Sequence, residues 1–209
     1  MTNITNTFGL YTDSGLTTLF TGTLSFTHYT DLSDNGTASN DTVLYLGSTN
    51  SARQLEANSN PGVDNITISV NENVDAWAAT TAYSLNDRIE PTTANGYVYK
   101  CTTAGTSAGS EPTWPTTGIG SSTVSDGTVV WTLVTAKHED TEVKLATTSG
   151  GLAGATAGAS LSLGTTISGG SGSAQEVHIR ITNAVTNVMD NTGYPGLTLT
   201  TNEVLETVA

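Results

Sequence analysis

Apolar residues recur at every second position in several short runs of the chain, and nowhere at a sustained i, i+3, i+4 spacing. Leu24, Phe26 and His28 alternate with Ser and Thr, as a half-buried strand requires. Thr42 to Leu46 is a short apolar strand, and Asn65 to Val70 alternates cleanly. Thr141 to Ala146 places Val143 and Leu145 on one face, and Glu176 to Thr182 does the same with Val177, Ile179 and Ile181. Gly196 to Thr201 and the Val204-Leu205 end complete the set. Turn chemistry separates the runs: Asn35-Gly36 lies within the loop from Asp31 to Thr37, and Asn60-Pro61-Gly62 follows. The Gly/Ala/Ser stretch from Ser149 to Ser173 predicts one strand, around Leu161, Leu163 and Ile167, between turns. Ala184 to Met189 is the nearest approach to a helix and is too short to form one on its own. No internal repeat is visible.

The middle of the chain breaks this pattern. Ala76 to Trp131 holds all three tryptophans and three of the seven tyrosines in about a quarter of the length. Outside it the chain is rich in Thr, Ser and Gly and poor in aromatics. The shift predicts an all-β protein: a β-sandwich, immunoglobulin-like or jelly-roll-like, formed by residues 1–74 and 137–209, with a small aromatic-rich β unit at 75–136 inserted in one connection. Neither outer piece has enough strands to close alone, which favours the discontinuous arrangement.

Composition narrows the function. Charged residues make up only 12% of the chain, and nineteen Asp plus Glu against six Lys plus Arg leave a formal net charge of −13. A chain this acidic, with no basic stripe, repels nucleic-acid phosphates and anionic lipid, so neither is an expected partner. No apolar run is long enough to span a membrane. The single cysteine, Cys101, excludes an intrachain disulfide. Met1-Thr-Asn-Ile-Thr-Asn has neither the basic nor the apolar part of a secretory signal, so synthesis in a cytoplasm without a signal peptide is expected.

The central motifs run in a specific order: Ala76-Trp77; Tyr83-x-x-x-Asp87-x-Ile89; Asn95-Gly96-Tyr97-x-Tyr99-x-Cys101; Pro112-x-Trp114-Pro115; Asp126-Gly127-Thr-Val-Val-Trp131. Over about 55 residues this resembles the small chitin-binding modules of bacterial chitinases, and more specifically a variant found in tailed-phage structural proteins. The opening Gly9-Leu-Tyr-Thr-Asp-Ser-Gly-Leu16, Tyr45-Leu-Gly-Ser48 and the run from Pro61 are similar to segments of phage virion proteins. The resemblance implies a compact three-stranded unit held by aromatic packing. Trp77, Tyr83, Tyr99 and Trp131 are then its core. Tyr97, which alternates with Tyr99, and Trp114, which sits between prolines, are the candidates for sugar contact. One departure weakens that implication. Cys101-Thr102-Thr103 stands where such modules usually carry an exposed aromatic pair for stacking on sugar.

Reactive chemistry is sparse. His28, His138 and His178 show no metal-ligand spacing, and the acidic loop of Asp31, Asp34, Asn35 and Asp41 lacks the closing Glu of a calcium loop. Gly150-Gly-Leu-Ala-Gly and Gly169-Gly-Ser-Gly lack the Lys-Ser/Thr of a phosphate loop. Glu111 and Asp126 share the central segment, but no surrounding pattern supports catalysis. The expectation is therefore a non-enzymatic protein with no metal and no cofactor. It would sit on the virion surface of a tailed phage as a head decoration or cement protein, and it would form homo-oligomers and contact capsid or tail subunits. The alternative is a tail- or fibre-associated protein that recognises host surface polysaccharide.

Overall fold

A computed structural model describes residues 4–20, 23–24, 39–72, 74–182 and 194–209. Phe26, His28, the loop from Asp31 to Thr37 and the segment from Ala184 to Met189 lie outside the described residues. The described residues are all-β. In chain order the strands are β1 (Gly9–Tyr11), β2 (Thr23–Leu24), β3 (Ser39–Gly47), β4 (Arg53–Ala57), β5 (Thr67–Glu72), β6 (Asp75–Ala76), β7 (Ala82–Tyr83), β8 (Arg88–Glu90) and β9 (Tyr97–Thr103). They continue with β10 (Gly105–Thr106), β11 (Thr123–Asp126), β12 (Val129–Ala136), β13 (Val143–Ala146), β14 (Leu161–Ser162), β15 (Thr166–Ser168), β16 (Gln175–Thr182), β17 (Tyr194–Thr201) and β18 (Val204–Val208).

The strands outside 75–136 form three antiparallel sheets, ordered β1-β3-β16-β13, β14-β5-β17-β2 and β15-β4-β18. The chain makes three passes through them. β3, β4 and β5 lay one strand in each sheet; β13, β14 and β15 do so again; β16, β17 and β18 do so a third time. Each sheet therefore needs strands from both outer pieces. β16 lies between β3 and β13, and β5 lies between β14 and β17.

Period-two alternation turns one face of each strand inward. Leu44, Leu46, Val143, Leu145, Val177, Ile179 and Ile181 from the first sheet meet Ile68, Val70, Leu197 and Leu199 from the second and Leu55 and Ile167 from the third. They share one hydrophobic core in a sandwich-like arrangement. Each such side chain, fully buried, contributes about 1.5–3 kcal/mol of transfer free energy.

Local sequence misleads in two places. Arg53-Gln-Leu-Glu-Ala57 is built of helix formers but is strand, because it pairs with both β15 and β18. The stretch from Ser149 to Ser173 holds two short strands rather than one, with 3₁₀ turns at Ser149–Ala153 and Ser171–Ser173. Each strand is an edge, β14 on β5 and β15 on β4, so their neighbours rather than their own sequence define them.

Residues 75–136 add a five-stranded sheet, β11-β12-β9-β8-β6, and a β10-β7 pair. The unit thus has more strands than the three its resemblance implies. It carries its own core of Trp77, Ile89, Tyr99, Cys101, Val129, Trp131 and Leu133. Val98 and Val134 instead join the sandwich core, so part of the sheet's other face rests on the sandwich.

Candidate functional site

The aromatic side of the five-stranded sheet is the candidate site. β9 and β12 pair antiparallel with Trp131 opposite Cys101 and Leu133 opposite Tyr99, and that register places these four side chains on one face. The loop leading into β11 crosses this face and lays Trp114 on it. The Trp114 ring is 4.5 Å from Tyr99 and 6.2 Å from Trp131, and Tyr83 meets Trp131 edge-on at 4.8 Å. Such tilted and edge-on contacts suit the quadrupoles of aromatic rings.

All three indole N–H groups are satisfied by two carboxylates. Asp126, itself buried, accepts from Trp77 Nε1 at 2.8 Å and from Trp131 Nε1 at 3.0 Å through one oxygen. Its other oxygen accepts the Ala108 amide at 2.8 Å. Asp126 is held in place by a two-residue turn, Gly127-Thr128, that joins β11 to β12. Gly127 has φ +60, and a Cβ there would lie 2.4 Å from the Thr106 carbonyl oxygen, so only glycine fits.

Glu111 performs the same service for Trp114. Its Oε1 accepts the Trp114 indole N–H at 2.8 Å and the Thr92 amide at 2.9 Å, and Oε2 accepts the Thr92 hydroxyl. Burial pushes the Glu111 carboxyl up, but the hydrogen bonds from Thr92 and Trp114 outweigh it and hold the group below its usual value. The Tyr99 hydroxyl donates to the Pro115 carbonyl at 2.7 Å and accepts from Asn95 Nδ2 at 2.8 Å. Asn95 Oδ1 takes the Tyr97 amide at 3.1 Å. Burial raises the Tyr99 hydroxyl above its usual range.

The six aromatics divide less sharply than the sequence suggests. Trp77, Tyr99 and Trp131 are buried. Tyr83, assigned to the core, is only half-buried, and its hydroxyl accepts the Ala78 amide at 2.9 Å. Tyr97 and Trp114, the candidates for sugar contact, are half-buried and pack against the same core. The physical reason differs for each. Tyr97 and Tyr99 are two apart on a strand and share a face, and Trp114 is drawn down by its stack on Tyr99 and its bond to Glu111. Cys101 is buried; burial, then the nearby Asp87 carboxylate, pushes its thiol up, while Thr102 and Thr103 are exposed.

Among the described residues, the histidines and the loop acid considered for reactive chemistry have partners within the fold. His178 bonds Glu176 at 2.7 Å, and His138 bonds Glu142 at 2.9 Å in a buried setting. Asp41 makes two 2.7 Å bonds to Arg180. Among the described residues no group of three or more His, Cys, Asp or Glu is placed to hold a metal ion, and no helix is long and apolar enough to cross a membrane. The roles of Asp126, Glu111 and Asn95 escaped the sequence reading. One signal was available, since a buried Trp N–H requires an acceptor and the segment offers few candidates. In comparisons with known proteins, no family model, no curated protein and no solved structure matches the chain.

Proposed function

We propose that this chain is a non-enzymatic structural protein of a tailed-phage virion, most specifically a head decoration or cement protein. In this reading residues 1–74 and 137–209 dock on the shell, and residues 75–136 face outward as a separate domain. One observation carries it. The ordered motifs from Ala76 to Trp131 that resemble phage-borne modules fold as one aromatic-packed unit with its own core, in a single connection of a sandwich-like scaffold. The acidic balance suits a protein displayed in many copies, because like charges keep free subunits apart until a specific interface forms. Affinity for the lattice then comes from repeating a modest contact, or from homo-oligomers that present several contacts at once. Cryo-electron microscopy of purified virions tests this directly. Density for the chain repeated over the capsid lattice is expected; its absence from the virion would overturn the proposal.

A second reading rests on the half-exposed Trp114 and Tyr97, with Asn95 and Glu111 beside them. Fixed aromatic faces with polar neighbours suit a host surface polysaccharide on a tail- or fibre-associated receptor-binding protein. Density confined to the tail tip would favour it. Retention of the full chain on host-cell polysaccharide, lost in Trp114→Ala, would then be the binding result to seek.

A further inference from the structure

The chain passes between the sandwich and the aromatic unit twice, after Glu72 and before Lys137, and the two crossings meet in one charged cluster. Lys137 is buried, yet its Nζ lies 2.9 Å from Glu72 Oε2, 3.0 Å from Glu90 Oε2 and 3.5 Å from Glu139 Oε1. These carboxylates come from three places: the end of sandwich strand β5, the end of β8 in the aromatic unit, and the returning connection. The Asp140 amide also reaches Glu72 Oε1 at 3.4 Å, and the Lys137 amide donates to the Gly96 carbonyl at 2.9 Å. Val98 and Val134 give this junction apolar support, packed into the sandwich core alongside Val74.

We propose that Lys137, Glu72, Glu90 and Glu139 form a protonation-dependent latch, which fixes the aromatic unit on the sandwich when one carboxyl carries a proton and loosens when all three are ionised. The charge balance dictates the direction. Three carboxylates around one ammonium leave two uncompensated negative charges, and one bound proton halves that excess. Glu139 is the group that takes the proton. The Glu72 carboxyl beside it pushes the Glu139 carboxyl up to about 7, with partial burial adding to the effect. Burial pushes Glu72 up, but its bonds to Glu139 and Lys137 outweigh this and leave it below its usual 4.5. Burial disfavours the Lys137 charge, but the bonds to Glu72 and Glu90 outweigh it and raise its pKa, so the ammonium persists throughout.

The sign follows from linkage. The raised Glu139 favours the latched form below about 7, and that contribution fades as pH rises through this value. The lowered Glu72 favours it above 4.5, and that contribution is lost in acid. The latch is therefore tightest near 4.5 and weakens as pH rises toward about 7. Other groups nearby are Arg88 and Lys100, which pair across β8 and β9 on Glu90's face of the sheet, and His138, which bonds Glu142 next along the chain. His138 is a second ionisable side chain beside the cluster, so the test must separate it from Glu139.

Backbone ¹⁵N relaxation on the full chain, at about pH 5.5 and about pH 8.5, brackets the Glu139 titration. Residues in β8, β9 and β12 and residues in β3, β5 and β16 should share one rotational correlation time at the lower pH and separate at the higher. Glu139→Gln, a neutral stand-in for the protonated acid at a half-exposed position, should keep a single correlation time at both values with the histidines intact. Lys137→Met should separate the two groups at both. A common correlation time in the unaltered chain at both values would overturn the latch. So would a pH-dependent separation that persists in Glu139→Gln, or a Glu139 carboxyl ¹³C titration with its midpoint near the ordinary glutamate value.

Discussion

Asp126 anchors the aromatic unit, because its buried carboxylate ends two buried indole donors and the part-buried Ala108 amide. Removing it orphans two buried indole N–H groups and the part-buried Ala108 amide. Asp126→Ala should therefore cost about 3 kcal/mol in urea unfolding followed by tryptophan emission. The loss should appear in the emission of Trp77 and Trp131 before the sandwich unfolds. Gly127 is as constrained for a different reason: its φ of +60 lies in the left-handed region and its Cβ site is already occupied by the Thr106 carbonyl. Gly127→Ala should destabilise by at least about 1–2 kcal/mol by the same measurement. Neither effect requires a ligand. Glu111→Gln leaves an acceptor for Trp114 but removes the charge, so its small cost would separate the positioning of that ring from the integrity of the core.

Among the elements, β18 shows how an edge strand is secured. One of its side chains, Glu206, reaches back to the first described residues of the chain. Its carboxylate accepts the Thr5 hydroxyl at 2.7 Å, the Thr7 amide at 3.0 Å and the Thr7 hydroxyl at 2.9 Å, with Arg53 at 3.7 Å. This straps the segment that carries the fully buried Phe8 across to the last strand. Burial pushes the Glu206 carboxyl up, but these hydrogen bonds and Arg53 outweigh it, so it stays below its usual 4.5. The strap's contribution is present above that value and is lost as pH falls through the lowered one. Exchange of the Thr7 amide should speed up by about tenfold in Glu206→Gln, the equivalent of one charged hydrogen bond. It should also lose protection in acid in the unaltered chain. The opening motif Gly9-Leu-Tyr-Thr-Asp-Ser-Gly-Leu16 has a comparable physical basis. The Asp13 carboxylate accepts the Thr17 and Thr18 amides, closing a tight loop in which Leu16 is buried at φ +57.

Across the whole molecule, three passes through the same three sheets make the outer pieces interdependent, while 75–136 keeps its own core. Replacing 75–136 with a short Gly-Ser linker should leave a cooperatively folding sandwich, because Glu72 and Asp140 are already in contact. Its stability should fall by about 2–3 kcal/mol from loss of the buried Val98, measured by calorimetry. A chain that no longer folds would show that the two parts are one cooperative unit. Loss of the latch adds a pH term to this comparison: between pH 4.5 and about 7 the full chain should gain more over the shortened one than it does above neutrality.

The sequence by itself determined the fold class and the stronger strands. Alternation at Asn65 to Val70, Thr141 to Ala146 and Glu176 to Thr182 needs no partner to be read, because burial of one face follows from period two. It also marked the aromatic segment, since a local concentration of Trp and Tyr is a property of composition. Tertiary structure alone decided the rest. β4, β14 and β15 are strands only through their neighbours, and the three-pass topology arises from pairings between residues more than a hundred positions apart. The half-burial of Tyr97 and Trp114, the clamp at Asp126 and the cluster around Lys137 are likewise meetings of distant residues. Each depends on pairing and desolvation energies that exist only once the sheets have formed.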